Sequence, residues 1–252
     1  MMAEGLEGFG SFHDARFECA DFSGAMLRDC NVRGLRIVDA RLADIRLEGL
    51  LESVIINDVD VTAFVEAELD RRCPERVQLR TLQTATDFQL MWATIERLWS
   101  DAVAQAESLP EWTRNERVDD EWSFTETLRH IVFAVDAWVS RTILDLPMPY
   151  ARIGLPQTSY EHDIVASIGI DLSAEPSYDE VIEVWGSRMA VVGGVVDALT
   201  DAELDRECTR TPGPGYPEGA IAVRRCLRVL MNEACDHRRY AVRDLTILEG
   251  RL

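Results

Sequence analysis

Leu227-Arg-Val-Leu-Met-Asn-Glu-Ala-Cys-Asp-His-Arg-Arg-Tyr-Ala-Val-Arg-Asp-Leu245 organises the rest of the chain. Apolar residues at Val223, Leu227, Leu230, Ala234, Ala241 and Leu248 recur near a helical period, so it reads as one long amphipathic helix. Glu233 and His237 interrupt or flank that stripe. They are four residues apart, one turn on, which puts their Cβ atoms roughly 6 Å from each other on one face. A carboxylate and an imidazole aimed at a core need partners, because burying either alone is costly. Two arrangements supply them: a structural Glu–His pair, or a metal ion shared with a third side chain.

Three further amphipathic helices precede this one. The first covers residues 87–107, with Phe88, Met91, Trp92, Ile95, Leu98, Trp99 and Val103 on one face and Pro110 beyond its end. The second opens on Ser123-Phe-Thr-Glu126, a capping-box pattern, and runs to Leu144. Its apolar stripe is His130, Phe133, Ala134, Ala137 and Trp138, so a histidine heads a core-facing row. His130 there is either a hydrogen-bonded core residue or the third ligand. Asp136 falls off that row and reads as solvated or as a support for the site. The third helix again opens on a capping box, Ser177-Tyr-Asp-Glu180, with Ile182, Trp185, Met189, Val192 and Val196 on its face. Gly193-Gly194 weakens it and allows a kink or a close crossing. The connection Pro147 to Pro176 is long and reads as helix-poor, the kind of segment that covers a site, with His162 facing solvent. Thr211-Pro-Gly-Pro-Gly-Tyr-Pro217 reads as a rigid turn before the last helix. Four such helices with inward polar residues on the second and fourth make a bundle with a site in or near its core.

The N-terminal fifth follows another rule. Phe12, Phe17, Phe22, Leu27, Val32, Ile37, Leu42 and Leu47 stand at an unbroken spacing of five. Two residues before each is a mostly small residue: Gly10, Ala15, Ala20, Ala25, Cys30, Leu35, Ala40 and Ile45. Neither helix nor strand has that period. It resembles the pentapeptide-repeat family, which implies a right-handed quadrilateral β-helix, here only two coils and about 10 Å tall. So short an array is expected to lean on the rest of the chain. Residues 54–61 could add irregular turns. Thr62 to Cys73 reads as a short helix, with Asp60 or Thr62 as its cap, and Glu75 to Thr86 as a polar linker.

The chain has 252 residues, 47% of them hydrophobic, enough for one or two cored domains. A formal net charge of −19 argues against a general nucleic-acid binder and against docking on anionic membranes. No lysine occurs; all 26 basic residues are arginine, which we read as codon bias. Six cysteines are scattered without a CxxC pair, no run is apolar enough to span a bilayer, and residues 1–7 are acidic, unlike a secretory signal. A reducing, cytoplasmic setting is expected.

Residues 86–250 resemble the DinB-like metal-dependent bundles, which include mycothiol S-transferases and the mycothiol-dependent maleylpyruvate isomerase. Trp122-Ser-Phe-Thr-Glu-Thr-Leu-Arg-His130 and Glu233-Ala-Cys-Asp-His-Arg-Arg-Tyr-Ala-Val-Arg-Asp-Leu245 carry the resemblance. It implies an up-down-down-up four-helix bundle whose metal is held by His130, Glu233 and His237. Many members place two histidines in the last helix; Glu233 followed by His237 is similar to the His/Glu/His set of the mycothiol-dependent branch. A related pattern has a histidine just after the ligand histidine, where this chain has Arg238.

The expected fold is therefore mainly α: residues 1–60 a pentapeptide-repeat β-helix segment, 61–85 a short helix and linker, and 86–252 the bundle. Two imidazoles and a carboxylate suit Zn²⁺, and also accommodate Ni²⁺, Fe²⁺ or Mn²⁺. The expected activity is metal-dependent transfer or isomerisation in which a low-molecular-weight thiol such as mycothiol is activated toward an electrophile, with no catalytic side chain assigned. Arg239, Tyr240 and Arg243 lie near enough in sequence to orient an acidic or sugar-bearing thiol. A homodimer is compatible with these features. A non-catalytic metal-binding bundle, and an interaction protein using the pentapeptide segment, are the alternatives.

Overall fold

The computed structural model describes residues 10–28, 30–157, 160–216 and 218–252, and divides the chain into two compact units, Met1–Leu50 and Leu51–Leu252. The acidic opening at residues 1–7 and Pro217 lie outside the described residues.

In the first unit the five-residue rhythm appears as turns. The amides of Ala15, Ala25 and Leu35 donate to the carbonyls of Phe12, Phe22 and Val32, each at 3.0 Å. The third residue of each turn, Asp14, Gly24 or Gly34, is left-handed, as a type II turn requires. Phe17 lies between Phe12 and Phe22, with ring centroids 6.3 and 5.3 Å away. The expected β-helix is not found: among the described residues the only sheets are two two-stranded ones, both beyond residue 50. The eight large positions of the repeat remain 50–67% exposed. Two coils give each side at most one neighbour to pair with, and a two-stranded pairing with little burial is marginal.

The second unit opens with a hairpin, β1 (Ile55–Ile56) and β2 (Val59–Asp60). Asn57 and Asp58 between them are both left-handed, the requirement of a type I′ turn. Helix α1 (Thr62–Arg72) follows, its first amide held by Asp60. The polar stretch expected to be a linker is instead helix α2 (Glu75–Arg80) and its tail. Leu79 and Leu82 are buried there, and Arg228 donates to both their carbonyls at 3.0 and 2.8 Å. Two well-placed leucines and one arginine dock a segment whose average polarity suggests none of this.

The bundle comprises α3 (Ala85–Ser108), α4 (Phe124–Val135), α6 (Tyr178–Asp197) and α8 (Val223–Glu249), with the short α5 (His162–Ser167) and α7 (Asp201–Leu204) in connections. Both expected capping boxes are present at Ser123/Glu126 and Ser177/Glu180, and Thr84/Asp87 forms a third. α4 continues without a break into wider π-helical turns over Asp136–Ile143. Contacts fix the directions. Tyr178 at the start of α6 reaches Glu107 at the end of α3, while Gln89 near the start of α3 reaches Val196 near the end of α6. Trp99 donates to Ala234, and Gln105 meets Thr246, so α3 and α8 run together. Phe124 packs beside Tyr178, so α4 and α6 run together, opposite to the other two. Gly193 faces α3, where a Cβ would make ordinary contact with Trp92 Nε1 at 3.6 Å. Every buried hydrophobic residue among those described falls between Leu79 and Leu248. Strands β3 (Glu207–Cys208) and β4 (Ile221–Ala222) pair at the foot of α8 and tie off the 209–220 loop. None of the helices described is long and apolar enough to cross a membrane.

Candidate metal centre

Where α4 and α8 cross, His130, Glu233 and His237 converge, and one ligand atom from each lies within 4.8 Å of the other two. The two α8 residues share a face by their four-residue spacing, as expected. Glu233 Oε2 is 3.1 Å from His237 Nε2 and 3.3 Å from His130 Nε2. Donors about 2.0–2.1 Å from one tetrahedral ion stand roughly 3.3 Å apart, so these separations suit a shared cation. His130 is the buried end of the site, its side chain 6% exposed, and Glu233 the open end at 37%.

The histidine's other nitrogen sharpens the fit. His130 Nδ1 is 2.9 Å from the Leu155 carbonyl, a distance that requires an N–H there. In the neutral ring Nε2 is then a lone pair facing a carboxylate oxygen, two acceptors at 3.3 Å. Something positive must stand between them, a proton or a metal ion. Burial disfavours the proton: it lowers the pKa of His130, against the opposing pull of Glu233. Burial would raise the carboxyl of Glu233, but the His237 imidazole, and that of His130 whenever it carries a proton on Nε2, outweigh it and bring the group down to about 2. The carboxylate is therefore ionised and ready to bind a cation at neutral pH.

Aromatic rings flank the two imidazoles. Trp122 lies 4.7 Å from the His130 ring and stacks on His237 at 5.7 Å. Phe133 flanks His130 at 6.2 Å and in turn packs on Tyr150 and Tyr160, which belong to the long connection after the π-helical turns. That connection is not helix-free, since α5 lies in it, with His162 exposed at its start. Tyr150 and Tyr160 donate to the carbonyls of Pro212 and Pro214, joining two loops beside the site. Arg238 turns away to Glu75 on α2, 3.9 Å off, and Arg239 and Arg243 lie over the ring of Tyr240. Trp122 and Leu155 are the contacts that the sequence reading did not assign. Trp122 was available, eight residues before His130 and just ahead of the capping box; a backbone carbonyl leaves no mark in a sequence.

Among curated proteins none matches the chain significantly. A solved structure of a protein from Streptococcus pneumoniae is similar at 16% identity and a TM-score of 0.45, covering 65% of this chain and 90% of that one. A family model described as the DinB superfamily matches residues 94–241, a span that holds all three converging side chains and well over half of the sequence. By that match, this protein belongs to the DinB superfamily.

Proposed function

We propose that His130, Glu233 and His237 hold one divalent cation, zinc by the nature of the donor set, and that the protein is a metal-dependent transferase or isomerase. Its co-substrate is a low-molecular-weight thiol such as mycothiol, and its substrate an electrophile. A bound cation of this kind supplies a deprotonated thiol at neutral pH. The chain's own groups do the rest. The Leu155 carbonyl keeps the proton on His130 Nδ1, and the ionised Glu233 offsets positive charge at the open end of the site. Trp122 and Phe133 exclude water from the flanks of His130.

The observation that carries this reading is the pair of acceptors, His130 Nε2 and Glu233 Oε2, held 3.3 Å apart where a buried, aromatic-flanked histidine meets a half-open carboxylate. It is tested first by metal analysis of untagged protein. One zinc per chain is expected in the parent and less than a tenth of that in His237→Ala; undiminished zinc in the variant overturns the ligand set. Zinc-dependent conjugation of a low-molecular-weight thiol to a model electrophile then separates an enzyme from a bundle that only stores the ion.

A further inference from the structure

Asp136 opens the π-helical turns of the α4 extension and is 1% exposed. It is not solvated. Its Oδ1 accepts Arg188 Nε from α6 at 2.7 Å, and its Oδ2 accepts the Ala151 amide at 2.8 Å and Arg188 Nη2 at 3.4 Å. Arg188 Nη2 also reaches the Pro149 carbonyl at 3.5 Å. The ion pair thus grips both a carbonyl and an amide of the segment after the π-helical turns. From Ala151 the chain turns through a 2.9 Å bond between the Gly154 amide and the Ala151 carbonyl. There is little slack in this turn: a Cβ on Gly154 would sit 3.2 Å from that carbonyl. The next residue is Leu155, whose carbonyl meets His130 Nδ1.

A buried ion pair is weak evidence for stability, because desolvation cancels much of its attraction. What this one does locally is hold a backbone segment whose far end touches a ligand histidine. We propose that Asp136 and Arg188 are positioning residues for the metal centre: by holding residues 149 and 151 they keep the Leu155 carbonyl on His130 Nδ1 and its Nε2 turned to Glu233. This rests on the metal reading above for its purpose, though not for its geometry. A competing anchor is present, since Arg129 Nε donates to the Ile153 carbonyl and the Leu155 amide donates to the Arg129 carbonyl. If that anchor alone suffices, the ion pair is irrelevant to His130.

The test compares Asp136→Asn and Arg188→Met with the parent. In metal-free protein, solvent exchange of the His130 Nδ1 proton is followed by NMR, with amide protection of α3 and α8 as the control for folding. The parent is expected to show a protected Nδ1 proton. In the variants it exchanges at least roughly tenfold faster while the helix amides stay protected, and zinc affinity falls by roughly ten- to a hundredfold, the usual effect of losing support for a ligand histidine. Unchanged protection of the Nδ1 proton in a folded variant overturns the proposal. Should the parent bind no zinc, the metal reading fails, and the proton exchange still decides whether the pair positions His130. The two substitutions sit on different helices, so one that fails to fold leaves the other to answer.

Discussion

At the scale of single residues, Asp136 separates what stabilises the protein from what orders its site. Burial raises its carboxyl pKa, and Arg188 with the Ala151 amide offsets this only in part. The folded state therefore takes up a proton at a higher pH than the unfolded chain, whose aspartates titrate near about 3.9. Between those two values the native state holds more protons, so unfolding free energy falls as pH rises through the window and then levels off. Asp136→Asn lacks that dependence. Urea unfolding of parent and variant, from the acid side of the ordinary aspartate value of about 3.9 up to neutral pH, is expected to show the parent losing ground to the variant as pH rises. A parent that gains on the variant instead would mean that the pairing with Arg188 outweighs burial. The three converging side chains were legible in the sequence because each is a titratable residue in or beside an apolar helical row. For Asp136 the sequence leaves two readings open, solvated or supporting the site, because its partners are 15 and 52 residues away.

At the scale of elements, helix starts were legible and helix interiors less so. Ser123/Glu126 and Ser177/Glu180 announce α4 and α6 by a local hydrogen-bond exchange that needs no tertiary context. The π-helical turns over Asp136–Ile143 carry no comparable mark, since the change from i→i+4 to i→i+5 hydrogen bonds requires no particular residue type where it begins. Helix α2 was hidden because two buried leucines do not outweigh its charged neighbours in a reading by average polarity. In the loop after β3, the Pro212 and Pro214 carbonyls accept from Tyr150 and Tyr160. A Cβ at Gly213 would come within 3.1 Å of both phenol oxygens. Burial pushes the Tyr150 phenol up to about 12 and raises that of Tyr160 as well, so both stay protonated donors to the proline carbonyls. Gly213→Ala is expected to destabilise by about 1–3 kcal/mol, the usual cost of overpacking. In a Tyr150→Phe, Tyr160→Phe background the same change is expected to cost less, because the oxygens in its way are gone. Equal losses in both backgrounds, measured by thermal unfolding, would show that the two phenol oxygens are not what the added methyl group meets.

At the scale of the whole molecule, the core and the candidate site share one unit. Buried hydrophobic residues run from Leu79 to Leu248, and His130, Glu233 and His237 lie within that span. The hairpin and α1 after residue 50 also belong to it. The first unit has its own geometry of turns and ring contacts, but the large residues described in it are at least half exposed, so little apolar area is buried among them. Burial of apolar area is the main favourable contribution to folding, so nearly all of the molecule's cooperative stability should reside in residues 51–252. A chain beginning at Leu51 is therefore expected to unfold in a single transition within a few degrees of the parent. It should also bind as much zinc per chain and, if the thiol chemistry is correct, retain the parent's zinc-dependent conjugation rate. Scanning calorimetry and metal analysis on the shortened chain check the first two points. A large drop in melting temperature would show that the first fifty residues contribute to the stability of the bundle. Intact stability with lost conjugation would instead give those residues a part in handling the substrate.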